Sequence, residues 1–103
     1  MAQTILERIG SVSPAILSGD FNVDERTDTI GMIRNKLENV FAGERTTSFN
    51  LRQKGNKGGF GEAVVDHLFV SRDVIVLEHD MPDVNVSDHQ PLMCVFEVAS
   101  VAR

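Results

Sequence analysis

Four stretches of this chain are apolar at successive positions instead of alternate ones: Val64-Val65, Leu68-Phe69-Val70, Val74-Ile75-Val76-Leu77 and Leu92-Met93-Cys94-Val95-Phe96. They are short and largely β-branched or aromatic, which predicts strands over about 63 to 71, 74 to 79 and 91 to 98. Successive side chains of a strand point to opposite faces. A sheet built from such runs therefore needs apolar cover on both sides. The helical patterns elsewhere in the chain suffice for one side. The other is expected to pack on a second sheet, which here would come from another chain.

The rest of the chain reads as a frame for those strands. Met1 to Ile9 suits a short helix with Ile5, Leu6 and Ile9 on one side, stopped by Gly10. After Ser13-Pro14, the run Ala15-Ile16-Leu17-Ser18 predicts a short buried strand that delivers Asp20 and Asn22 at its carboxyl end. Asp24 to Asp28 offer caps for a helix over roughly 28 to 41, in which Ile30, Ile33, Leu37, Val40 and Phe41 form one stripe. Gly43 closes it. Thr46 to Leu51 reads as a further strand, and Gln53 to Gly61, with four glycines, as a flexible loop or wide hairpin. The expected order is α-β-α-β-β-β: a single α/β domain over 1–103, with one main helix, a short amino-terminal helix and a mostly antiparallel sheet.

Composition narrows the function classes. With 42% apolar residues the chain is an ordinary globular domain and not a disordered one. No apolar run approaches the ~20 residues needed to cross a bilayer, and Glu7 and Arg8 interrupt the stretch that a signal peptide would need. A soluble, cytoplasmic protein is the expectation. The single Cys94 has no internal disulfide partner and reads as a small core residue. A net charge of −5 argues against nucleic-acid binding by bulk electrostatics alone. The basic residues are nevertheless clustered: Arg45, Arg52, Lys54 and Lys57 share one stretch. That stretch suits either phosphate contact, through Arg52 and Lys54, or a solvated loop.

Three polar groupings sit at the edges of the apolar runs: Gly19-Asp20-Phe21-Asn22, Val65-Asp66-His67-Leu68-Phe69-Val70 and Ser87-Asp88-His89-Gln90-Pro91. Asp66 shares a strand face with Val64, Leu68 and Val70, where a lone carboxylate costs several kcal/mol unless a cation or donors meet it. Something basic should lie within reach. Asp20 and Asn22 follow a strand, while Asp88 and His89 precede one. If those two strands run antiparallel and close together, the four side chains converge. Carboxylates gathered at one point repel, and a divalent cation removes the conflict. Hard oxygen ligands select Mg²⁺ or Mn²⁺ over zinc. His67 reads as structural, and His79-Asp80 as a turn before Pro82.

Taken in order, these groupings resemble the carboxyl-terminal half of the endonuclease/exonuclease/phosphatase family of metal-dependent phosphodiesterases. The resemblance implies half of a four-layer α/β sandwich and a Mg²⁺-dependent hydrolase of phosphoester bonds, with DNA, RNA, a phosphoinositide or a small phosphoester as substrate. It implies that Asp20 activates or orients the attacking water and that Asn22 donates to the phosphate. It further implies that Asp20 and Asp88 bind metal, that His89 stabilises phosphoryl charge or handles a proton, and that Asp66 orients His89.

The first half of the family pattern, including its metal-binding glutamate, is absent from these residues. Glu7, Glu25 and Glu38 stand in unsuitable places, and the chain has no Tyr or Trp. A homodimer or a complementing chain is the corresponding expectation. The alternatives are a non-catalytic binding or regulatory module on the same scaffold, or a truncated piece of a longer enzyme.

Overall fold

The computed structural model describes residues 2–10, 12–56, 59 and 61–98. Its elements are α1 (Ala2–Ile9), β1 (Ile16–Asp20), α2 (Asp28–Arg34), β2 (Glu38–Asn39), α3 (Leu51–Lys54), β3 (Asp66–Val70), β4 (Val74–Asp80) and β5 (Met93–Val98). One antiparallel sheet has the order β1-β3-β2, and β4 and β5 form a separate antiparallel ribbon. No helix among the described residues is long and apolar enough to cross a membrane.

Strand β3 is the centre of the molecule, and all five of its residues are buried. On one side Phe69 joins Ile30, Ile33 and Leu37, with Ile5 and Ile9 of α1 and Leu17 of β1 packed around them. On the other, Leu68 and Val70 meet Phe41, Val74 and Met81, flanked by Val76, Leu92 and Cys94. The doubly apolar run at 68–70 is thus covered on both faces by its own chain, which the sequence reading did not anticipate. Among the doubly apolar strand runs it is the ribbon that is left uncovered: Ile75, Leu77, Met93, Val95, Phe96 and Val98 are all at least 44% exposed.

Several expected elements differ. The helix expected over 28–41 stops at Arg34, capped at its start by Thr27. Two competing contacts end it. Val40 donates its backbone N–H to the Leu68 carbonyl beside β3, and Phe41 belongs to the opposite cluster from Ile33, which one helical stripe cannot satisfy. The strand expected at 46–51 is a single bridge between Phe49 and His89, followed by the short α3, because the Asn50 side chain accepts from the Arg52 N–H and caps a helix. Strand β1 is present but mostly exposed, being an edge strand with only one face against the helices. His79 and Asp80 end β4, opposite Cys94 and Met93, and do not form a turn. The short helix at the start agrees with expectation. Gly10 closes it with φ +54°, donating its N–H to the Leu6 carbonyl. Met1 and Lys57 lie outside the described residues.

Candidate active site

Asp20 and Asp66 are register partners at the end of the β1–β3 pair, so two acids face each other directly across the sheet. Like charges in that position repel. His89 resolves the conflict. Its Nδ1 lies 2.7 Å from Asp66 Oδ2, and its Nε2 lies 3.8 Å from Asp20 Oδ2, longer than a direct hydrogen bond. One ligand atom from each of the three residues falls within 4.8 Å of the others. The basic group demanded by a carboxylate on the face of Leu68 and Val70 is therefore His89. Asp66 itself is only 9% exposed.

His89 arrives by a route different from the one expected. β1 and β5 are not neighbours; they belong to different sheets. The Asn50 N–H donates to the Asp88 carbonyl at 2.8 Å, and the Gln90 N–H donates to the Ser48 carbonyl at 2.8 Å, which pairs Phe49 with His89. The two rings pack at a centroid distance of 4.8 Å. Ser48 also ties this bridge to β3, since its buried hydroxyl oxygen accepts from the N–H groups of Val65 and Asp66. The reading from sequence passed over Ser48, Phe49 and Asn50. Their signal was a serine and an asparagine set within a run of strand-formers, where buried polar side chains need partners.

The hydrogen bond to the Asp66 carboxylate raises the His89 pKa above its ordinary 6.5; partial burial opposes this, and the charges of Asp66, Asp20 and Asp88 reinforce it. With the carboxylate accepting at Nδ1, the Nε2 corner is directed to Asp20. Asp20 Oδ1 is held by the Asn22 N–H at 2.8 Å, and Asn22 itself adopts φ +58°, a left-handed turn at which asparagine is tolerated.

The other candidate residues are placed as follows. Asp88 lies outside the close group of Asp20, Asp66 and His89. Arg52 pairs with Asp83 at 2.9 Å and Arg45 with Asp80 at 3.3 Å. Lys54 lies 4.8 Å over the Phe49 ring, the same ring that packs on His89. His67 is 1% exposed, with its Nε2 donating to the Val23 carbonyl at 2.8 Å, a structural placement. His79 binds the Glu44 carboxylate at 2.8 Å, away from the site. A cavity of about 240 Å³ lies beside Asp20 and Asp66, lined also by Leu68, Gln90 and Leu92. A larger groove of about 480 Å³ between Arg34, Arg72 and His79 contains none of the three site residues, so size does not mark the chemistry here.

No protein-family profile matches the chain, and no curated protein gives a significant match. Among solved structures, the crystal structure of an endonuclease/exonuclease/phosphatase from Bacteroides vulgatus is similar, with a TM-score of 0.70 and 23% sequence identity. The match covers 94% of this chain and 42% of that one. The chain thus has the α/β fold of part of an endonuclease/exonuclease/phosphatase structure, and it spans less than half the length of that relative.

Proposed function

We propose that this domain is the carboxyl-terminal half of a Mg²⁺- or Mn²⁺-dependent phosphodiester hydrolase, working in the cytoplasm. The observation that carries the reading is the grouping of Asp20, Asp66 and His89 at one end of the β1–β3 pair, with His89 Nδ1 on the Asp66 carboxylate. Attack on a phosphodiester needs a positioned nucleophile and neutralisation of developing charge. Asp66 holds the imidazole, and the protonated ring donates from Nε2 to a phosphoryl oxygen. Asp20, exposed at the strand end, accepts a hydrogen bond from the attacking water and orients it. Asn22 donates to the phosphate. Of the two basic candidates Lys54 is the better placed for a neighbouring phosphate, because Arg52 already binds Asp83.

The donor set suits a hard cation. Asp20 presents one carboxylate oxygen not held by Asn22, and Asp88, outside the close group but near enough for its charge to act on the His89 ring, offers a further acid. Few protein oxygens are on offer, so binding is weak and completed by water. A bound Mg²⁺ or Mn²⁺ supplies charge neutralisation at the phosphate oxygens. The exposed apolar side chains of the β4–β5 ribbon favour a complement that covers them, as a second copy in a homodimer or as a partner bearing the missing glutamate.

The test is hydrolysis of a generic phosphodiester and of single- and double-stranded DNA with Mn²⁺, alone and with the complement, against Asp20→Ala as the control for contaminating nuclease. Activity in the parent with loss in Asp20→Ala is the expected result. Equal rates in both overturn the reading and leave a binding module on the same scaffold.

A further inference from the structure

The segment that carries His89 has little apolar anchorage of its own. From Asp83 to Asp88 every residue is exposed, including Val84 and Val86. Polar ties therefore decide where it lies: Arg52 and Gln90 hold Asp83, Gln53 holds Asn85 and Gln90 accepts from the Val84 N–H, but the side chain that reaches the most of the segment is a buried one. Asn50 is 1% exposed, and its Nδ2 donates to Asn85 Oδ1 at 2.8 Å, to the Ser87 carbonyl at 2.9 Å and, at 3.4 Å, to the Val84 carbonyl. Its Oδ1 accepts from the Arg52 N–H and Nε at 3.2 and 3.3 Å, and its main-chain N–H holds the Asp88 carbonyl. Both ends of one buried amide are thereby engaged, one by the loop and one by the start of α3. The next residue after Asp88 is His89, whose ring must reach Asp66.

We propose that Asn50 is a positioning residue for the Asp66–His89 pair: by gripping the chain at Val84, Asn85, Ser87 and Asp88 it brings His89 Nδ1 to the Asp66 carboxylate. The functional weight of this inference rests on the reading of His89 given above, but its structural content does not. An amide is required because its nitrogen faces three oxygen acceptors while its oxygen faces two donors. Asn50→Asp keeps the shape and the α3 cap, yet turns the loop-facing donor into an acceptor among acceptors, so the grip becomes a repulsion.

The experiment is nuclear magnetic resonance of the ring N–H protons without added metal, assigned with His89→Ala. The parent is expected to show a protected His89 Nδ1–H signal, and Asn50→Asp to lose it. The buried His67 Nε2–H signal, bonded to the Val23 carbonyl, persists as the internal control for folding. Retention of the His89 signal in Asn50→Asp, with the His67 signal intact, overturns the proposal. Should Asn50→Asp lose both signals, the exposed Asn85→Ala decides. It removes the nearest Nδ2 acceptor without touching the core and is expected to broaden the His89 signal, whereas an unchanged signal overturns the proposal. Where the parent hydrolyses a phosphodiester, Asn50→Asp is also expected to lower kcat by about tenfold to a hundredfold with little change in KM. Where the parent does not, the comparison with Asp20→Ala reports failure of the hydrolase reading, while the ring signals still judge Asn50.

Discussion

Asp66 is held on three sides: by the strand it belongs to, by the Ser48 hydroxyl beneath its backbone, and by His89. If His89 acts only with its ring set by Asp66, then Asp66→Asn should cost nearly as much hydrolysis as His89→Ala, and the double variant little more than either, because residues that act as a unit are not additive. Summed losses in the double variant would show independent roles. The hydrogen bond that His89 donates to Asp66 also raises the folded pKa of His89 above 6.5. The pair therefore stabilises the fold fully below pH 6.5 and loses that contribution as pH rises through the raised folded value. The ring titration of His89, followed in metal-free solution, should move downward in Asp66→Asn, and the slope of stability against pH in that window should flatten. Asp20→Ala should weaken Mn²⁺ binding by calorimetry, and so should Asp88→Ala; an unchanged Asp88→Ala removes Asp88 from the metal set. The need of Asp66 for a basic partner was legible in sequence because a carboxylate among Leu68 and Val70 has few ways to remain charged. The support from Ser48 and Asn50 was not, because it depends on which distant carbonyls and N–H groups the fold brings to them.

At the scale of elements, β3 sits between two clusters, and its large side chains should be the most costly to remove. Phe69→Ala is expected to lose about 3–5 kcal/mol and Ile33→Ala about 2–5 kcal/mol in urea unfolding. Ser48→Ala leaves the N–H groups of Val65 and Asp66 without their acceptor and should cost about 1–3 kcal/mol despite the small change in volume. A loss no larger than that of an exposed serine would mean that water replaces the hydroxyl. Strands 66–70, 74–80 and 93–98 were readable from local composition, since uninterrupted apolar runs leave few alternatives. The end of α2 was not. Ile30, Ile33, Leu37 and Phe41 satisfy helical spacing, but Phe41 is needed on the far side of β3, and the helix yields before it. Likewise the β-branched pair Thr46-Thr47 and Phe49 that favour a strand give way to the helix capped by Asn50.

The whole molecule is a thin slab of 54 × 27 × 19 Å, with a radius of gyration of 14.7 Å. A compact domain of this length would have about 13 Å. The excess length fits a ribbon that projects with apolar side chains on it, Ile75, Met93, Val95 and Phe96 among them. Singly scattered apolar exposure is ordinary, but this many exposed apolar side chains on the two faces of one ribbon suit a contact surface. Sedimentation at micromolar concentration should show association of the parent, or its capture by the complement. Val95→Glu should remove that association while leaving urea stability nearly unchanged, because Val95 is already 44% exposed. A parent that stays monomeric and binds no complement would count against a covered ribbon. That this chain lacks cover was legible in the sequence as an imbalance of sheet over helix. Which strands lack it was not, because the chain folds Phe41 and Met81 back onto β3.

The register of the central strand carries a consequence for synthesis. Val70 pairs with Ile16 and with Glu38, so neither neighbour of β3 is a hairpin partner, and closing the β1 pair at Asp20 and Asp66 requires a loop of the 45 residues 21–65. Such non-local pairing slows folding relative to a helical domain of the same size, because loop closure must precede the contacts that reward it. While a ribosome is still extending the chain, α1, β1 and α2 emerge without the strand that joins them, leaving the slot for Phe69 open until β3 clears the exit tunnel. A nascent chain in that state has an unpaired strand edge and open apolar surface, the conditions under which intermediates aggregate or engage chaperones.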